Sequence, residues 1–318
     1  MITDQEFSDA AQRIVDGGLV AFPTETVYGL GANALDVDAV SKVFELKGRP
    51  TFDPLIVHVA SPKDLDDLIS DFPRPIEHLV NEFWPGPLSV VLPKRRGIPD
   101  LVTSGLPSVA VRCPSHPDAA RLIRNAGVPI AAPSANRFGC ISPTTADHVR
   151  EQFREAAPMI LDGGPCQVGV ESTVVGFQDD DVILYRPGGV TIEAIEEVVG
   201  SVRHAGTDDS SPSSPGQLTK HYAPSVTLEI ASGRIHAGIG ERLGLLGFSP
   251  SEEAQSGEEY CHIEFLTESG SLREAAANLF AAMRRLDAAG VDRIIARPVP
   301  EVGLGVAIMD RLRRASAS

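Results

Sequence analysis

Nowhere in the sequence do eighteen apolar residues follow one another, which excludes a membrane-crossing helix. The opening stretch MITDQEFSDAAQRIVDGG has neither the basic block nor the apolar block of a signal peptide, so a cytoplasmic location is expected. Cysteine is scarce. Cys113, Cys140, Cys166 and Cys261 show no paired or metal-finger spacing, which predicts reduced thiols serving as small hydrophobes. Positive charge is short as well, with 28 Lys and Arg against 43 Asp and Glu and a net charge of −15. That balance argues against broad nucleic-acid binding, which rests on neutralising phosphates. The deficit is concentrated early: residues 1–200 hold 16 cationic against 28 acidic side chains. Any polyanion binding there needs a local cationic pocket, and a small anion suits that better than RNA.

Familiar catalytic signatures are missing too. There is no Ser-His-Asp order, no HExxH, no Gly-x-x-x-x-Gly-Lys and no paired-carboxylate motif. The candidate functional side chains are instead cations, hydroxyls and amides. Such a set suits phosphoryl or nucleotidyl transfer, where the protein positions reactants and neutralises charge.

A chain of 318 residues exceeds one small core and suits two domains. The seam is RHAGTDDSSPSSPG, Arg203 to Gly216, rich in Ser, Pro and Asp without apolar periodicity. The division expected is 1–200, a linker over 201–224, and 225–318. In the first part, strand-like runs (DGGLVAF, LIVHV, LSVVLP, VAVRCP, PIAAP, APMILDGG, STVVGF, VILYRP) alternate with helical patterns near 4–16, 38–47, 117–126 and 144–156. Short turns between several strands predict an α/β fold with an open mixed sheet. In the second part VTLEIA, LGLLGF, YCHIEF and VDRIIARP read as strands of a smaller α/β domain. Its helix carries an apolar stripe of Leu272, Ala276, Leu279, Phe280, Met283 and Leu286, stopped by Gly290.

The chemistry-bearing stretches lie mostly at strand ends. FPTETVYGLGANA, after an apolar strand, is poor material for a helix or a buried strand. It reads as a polar β–α connection with a Gly-x-Gly turn, or as a ligand-binding edge. In ELKGRPTFDPLIVHV, Lys47 and Arg49 either complement a helix C-terminus or grip phosphate. His58 sits inside an apolar strand, as a structural histidine or a ligand contact. Arg112 in SVAVRCP is costly to bury unless it meets an anion, whereas Lys94-Arg95-Arg96 reads as a solvated turn. Ser134, Asn136 and Ser142 supply donors ahead of a helix capped by Thr144 or Thr145. GVESTVVGF and ILYRPGGVT add Ser172, Thr173 and Arg186.

These stretches, with WPGPLSVVL, occur in the order found in the threonylcarbamoyl-AMP synthase family, the YrdC-like family, and the sequence resembles its long form with an extra C-terminal domain. The resemblance covers nearly all of residues 1–200 and continues through SPGQLTKHYAP. It implies a YrdC-like twisted mixed sheet with a smaller Rossmann-like C-terminal domain. The implied reaction joins L-threonine, bicarbonate and ATP, with Mg²⁺, into threonylcarbamoyl-AMP and pyrophosphate, for tRNA-modifying machinery downstream. On this resemblance Thr26, His58, Arg112, Ala132 and Ser172 meet threonine. Arg49, Asp53, Ser108, Ser134, Ser142, Arg186 and Tyr222 meet ATP, and Lys47, Arg49 and Arg186 do the catalytic work. The runner-up readings are a carbamoyl-transfer domain of the same fold and a double-stranded RNA-binding module. Phe52-Asp53-Pro54-Leu55 departs from the usual Asp-Asn-Pro-Leu, placing an anion where phosphate is expected unless an arginine or Mg²⁺ meets it. Gln217-Leu218-Thr219 departs from the more basic linker usual in the family.

The implied reaction brings two anions together. Two unit charges 4 Å apart repel by about 4 kcal/mol at an effective dielectric near 20. Several cations converging on one pocket reverse that sign, and Lys47, Arg49, Arg112 and Arg186 are the expected set. A carbamate and a mixed anhydride are both labile in water, so a lid is expected, with Tyr222 on it.

Overall fold

The computed structural model describes residues 2–206, 221–233, 235, 237–253 and 260–317. Ten strands form the first sheet: β1 (Val20–Phe22), β2 (Gly29–Asn33), β3 (Ile56–His58), β4 (Leu88–Pro93), β5 (Ser108–Arg112), β6 (Ile130–Ala131), β7 (Met159–Ile160), β8 (Thr173–Gln178), β9 (Asp181–Arg186) and β10 (Arg203–His204). Their order is β10-β9-β8-β4-β5-β3-β6-β2-β1-β7. Parallel pairs (β4 with β8, β3 with β5) alternate with antiparallel ones (β4 with β5, β8 with β9), so the sheet is mixed, as expected.

Period-two alternation decides which side of this sheet becomes the site. Val57, Leu88, Val90, Leu92, Val109, Val111 and Val175 face one way and join the main core. That core is closed by helices that include α2 (Val37–Lys47) and α3 (Arg74–Phe83). Their neighbours Ile56, His58, Ser89, Val91, Ala110, Arg112 and Val174 therefore face the other way. There, among the described residues, a small cluster of Ile56, Val91, Ala110 and Val174 has no helical member. Under the β1–β6 end, α1 (Asp4–Val15) packs on α4 (Pro117–Ala126) through Phe7, Ile14, Leu122 and Ile123.

The second sheet has four strands, all parallel: β11 (Thr227–Ile230), β12 (Leu243–Gly247), β13 (His262–Phe265) and β14 (Arg293–Ala296), in the order β11-β14-β12-β13. Two long helices, Leu272–Ala288 and Leu304–Ser316, pack on it and on each other. The predicted apolar stripe is core, with Ala276, Leu279, Phe280, Met283 and Leu286 inaccessible to solvent. Val27, Ile141 and Val170 from the first sheet's loops pack into this same core. At the seam Gly169 has φ +77°, and a Cβ there would lie 2.3 Å from the carbonyl oxygen of Ala276. Glycine is what lets the backbones meet. No helix among the described residues is long and apolar enough to cross a membrane.

The structure corrects the sequence reading at several places. GLGAN is a buried strand rather than a turn. Its glycines make room: a Cβ on Gly31 would lie 2.8 Å from both Ile130 and Phe22. Helices Arg74–Phe83 and Ile192–Val199 went unread in the sequence. The former starts from an FPRP stretch whose prolines look like loop but suit a helix's first turn. Part of the expected linker is ordered, since Arg203–His204 adds a strand beside β9. Residues 207–220, with the rest of that linker and Gln217-Leu218-Thr219, lie outside the described residues.

Candidate active site

A cavity of about 60 Å³ opens at the helix-free face, between the ends of β3, β5, β8 and β9 and the segment His221-Tyr222. Nine of the sequence candidates line it: Thr26, Arg49, His58, Arg112, Ala132, Ser134, Ser172, Arg186 and Tyr222. The cations expected to converge do so in part, because Lys47 is not among the lining residues.

Arg112 ends β5 beside His58, its register partner on β3. Its Nη2 lies 2.6 Å from Glu25 Oε1, and its Nη1 donates to Thr26 Oγ1 at 2.8 Å. Thr26 Oγ1 in turn lies 2.8 Å from Thr24 Oγ1. Burial raises the Glu25 pKa, but the charge and hydrogen bonds of Arg112 outweigh it and hold the carboxyl below its usual range. TETV is thus a folded polar hook locked by an arginine 86 positions away. Glu25 was not a sequence candidate. Its signal was the question already raised by Arg112, which needs an anion to be buried.

Arg49 follows the C-terminus of α2, where Gly48 takes φ +63° and turns the chain. Its Nη2 sits 2.8 Å from Asp53 Oδ1, and the same guanidinium donates to the carbonyls of Asp53 and Pro54. Asp53 is fully buried and off the cavity wall. The departure from the family pattern is therefore met by Arg49, which pairs with Asp53 behind the cavity wall.

Lys47 takes a position different from the one expected beside phosphate. Its Nζ donates to the carbonyls of Ser134 and Asn136, both at 2.5 Å, and its own carbonyl accepts from Phe138 N. Burial, then the charge of Arg49, lowers its pKa well below the ordinary lysine value. Lys47 holds the Ser134–Phe138 loop in place, and Ser134 reaches the cavity from it. Ser142 also sits behind the wall, donating to Glu171 Oε1 at 2.6 Å. Ser108 lies away from the cavity, at the far end of β5. It shares the helix-free face with Ala110 and Arg112 and lies about 13 Å from Arg112 at the rise of an extended strand.

Arg186 ends β9. Its Nε and Nη2 donate to Ser172 O at 3.2 and 2.9 Å, and Nη2 reaches Ser172 Oγ at 3.1 Å. Ser172 Oγ lies 2.8 Å from Ser89 Oγ. Arg49 and Arg112 each have a carboxylate partner, while Arg186 makes no ion pair among the described residues. It is the cation with most capacity left for an anionic ligand.

The roof comes from the linker's end. Tyr222 is buried at φ +65°, stacks on Phe280 with ring centroids 5.5 Å apart, and has His221 edge-on at 4.1 Å. Ala223 N donates to Gly139 O, pinning this end to the first sheet's loop. His221 was missed as a lining residue, although KHYAP was singled out for its tyrosine. Burial, then Arg49 and Lys47, drives the His221 pKa well below its ordinary value. Burial pushes the thiols of Cys113 and Cys166 up to about 11 and about 12, as inert core cysteines require.

Burial, then the charge of Arg112, pushes the His58 pKa down to about 3. His58 is therefore neutral at any working pH, and this sets a pH dependence. The unfolded chain protonates His58 near pH 6.5, while the native state refuses the proton until about pH 3. Stability is thus fully present above 6.5 and falls as pH drops, by about 1.4 kcal/mol per pH unit for this residue. His148, depressed to about 4 by burial and then by Arg284, acts in the same direction. Urea unfolding midpoints between pH 7 and 4.5 should fall steadily, and His58→Gln should flatten that slope by one proton's worth. An unchanged slope in the variant would show His58 to be charged or exposed.

Arginines already hydrogen-bonded, and so fixed in place around a small cavity, define an α/β protein that handles anionic substrates by preorganised charge. Residues 12–188 match the Sua5/YciO/YrdC model, described as Telomere recombination, and residues 190–317 match the model described as Threonylcarbamoyl-AMP synthase, C-terminal domain. The chain belongs to the threonylcarbamoyl-AMP synthase family. It is 45% identical to the threonylcarbamoyl-AMP synthase of Pyrococcus abyssi, over 96% of this chain and 93% of that protein. With the Bacillus subtilis synthase it shares 44% identity, over 98% of this chain and 93% of the other. The crystal structure of P. abyssi Sua5 complexed with L-threonine superposes with a TM-score of 0.92 at 42% identity, covering 100% of this chain and 96% of that one.

Proposed function

We propose that this protein is an L-threonylcarbamoyladenylate synthase that condenses L-threonine, bicarbonate and ATP to threonylcarbamoyl-AMP and pyrophosphate in the cytoplasm, supplying tRNA threonylcarbamoyladenosine modification. The observation that carries the reading is the convergence of the Thr26–Arg112–His58 group and the Arg186–Ser172 pair on one cavity, whose wall also holds Arg49 and Ser134. The first group takes the amino acid, with Ala132 beside it and Arg112 toward its carboxylate. Arg186, Arg49 and Ser134 face the nucleotide, and Ser108, on the same sheet face, suits the outlying end of a triphosphate. No protein nucleophile is required: the threonine amine and bicarbonate form the carbamate with loss of water, a carbamate oxygen attacks the α-phosphate, and pyrophosphate leaves.

Mg²⁺ would enter as part of the substrate, on the triphosphate. Among the described residues no group of three potential metal ligands is present, and Glu25, Asp53 and Glu171 are each held by an arginine. That donor set does not form a metal cage of its own. A cavity of about 60 Å³ is also far below the roughly 300 Å³ at which small-molecule pockets begin. His221 and Tyr222 therefore lift to admit ATP and close again to exclude water from the carbamate. We take residues 1–200 as the catalytic domain, 201–224 as the linker and lid, and 225–318 as the second domain. The direct test is incorporation of radiolabelled bicarbonate into an adenylate. Label should appear with L-threonine and be absent without it; label that appears regardless of threonine would refute the proposal.

A further inference from the structure

Among the side chains by which the second sheet's unit meets the cavity wall, one lies in none of the sequence motifs. Arg311, on the helix Leu304–Ser316, is completely buried. Its Nε donates to Glu171 Oε2 at 2.8 Å, and its Nη1 donates to Pro187 O at 3.0 Å and to Asp310 Oδ2 at 2.6 Å. The guanidinium lies 5.3 Å from the centroid of the Tyr222 ring. Glu171 lines the cavity, and its other oxygen accepts from Ser142.

Two of the three residues Arg311 grips flank the pair that matters. Glu171 precedes Ser172, Pro187 follows Arg186, and Arg186 is hydrogen-bonded to Ser172. Arg311 thus ties the β8 entry and the β9 exit together from behind. It also matches Glu171, the one carboxylate on the cavity wall among the described residues. Without it Glu171 would stand as an uncompensated anion beside Arg186, cancelling the charge that attracts a triphosphate.

We propose that Arg311 is a positioning residue for the nucleotide: it neutralises Glu171 and fixes the Ser172–Arg186 pair, so that ATP binds well only when the second unit is docked. This rests on the functional reading above for the identity of the nucleotide. Three variants of the full chain test it: Arg311→Gln, Glu171→Gln, and both together. Two readouts apply, direct calorimetric titration with Mg-ATP and the separate KM values for ATP and threonine.

In Arg311→Gln the ATP dissociation constant and KM should rise at least tenfold, with the threonine KM within about twofold. The double variant, which removes both charges together, should recover at least fivefold of that loss. ATP affinity unchanged in Arg311→Gln, or equal losses in the single and double variants, would overturn the proposal. Should Arg311→Gln fail to fold, the double variant decides: ATP affinity within fivefold of the parent supports charge compensation, and a larger loss refutes it. ATP titration needs no threonine chemistry, so it judges Arg311 even where the bicarbonate assay refutes the proposed reaction.

Discussion

Arg186→Ala should lower threonine-dependent pyrophosphate release by 100-fold or more while the protein stays folded. The magnitude is that of losing one preorganised electrostatic donor, about 10²–10³ in turnover. Arg186 is expected to show it most cleanly because it has no carboxylate to leave behind. Its loss removes positive charge from the cavity without stranding an anion, although the Ser172 carbonyl loses a partner at a cost of about 1–3 kcal/mol. Arg186→Lys keeps the charge but not the fork that spans Ser172 O and Oγ, and should fall between parent and alanine variant. Unchanged pyrophosphate release in the alanine variant would remove Arg186 from the reaction.

Arg112→Met should instead be felt first in folding. It leaves Glu25 buried and unpaired, which costs about 3–5 kcal/mol when one partner of a buried pair is deleted. It also frees Thr26 from the arginine that orients its hydroxyl. Adding Glu25→Gln should return most of the stability, because a neutral amide tolerates burial better than a lone carboxylate. Activity should stay low in the double variant, with a raised threonine KM, since nothing replaces the guanidinium. Urea denaturation separates the two effects. If activity returns together with stability, Arg112 serves the fold alone.

Much of the site was legible because buried charge is conspicuous. An arginine inside SVAVR and a histidine inside LIVHV interrupt apolar alternation, and alternation puts both on the same face of adjacent strands. Hydroxyl-rich strand ends at TET and EST were visible for the same reason. Less legible was where each cation's charge goes. Lys47 and Arg49 stand two positions apart, yet one holds a loop by its carbonyls and the other meets Asp53 and the cavity. Side chains two apart on a chain leaving a helix diverge, and no pattern in the sequence says which one faces inward.

The sequence by itself determined most of the strands, several helices, the apolar stripe of the second unit and the candidate chemistry. These depend on periodicity and on residue type, which are local properties. Tertiary structure alone decided that GLGAN is a strand, since its glycines answer to Ile130 and Phe22 across the sheet. It alone decided how charge is distributed as well: Glu25 with Arg112, Asp53 with Arg49, and Glu171 with an arginine 140 positions away. Ion pairing in a buried site depends on distances of a few ångströms between elements remote in the chain, and a one-dimensional pattern carries no such distances.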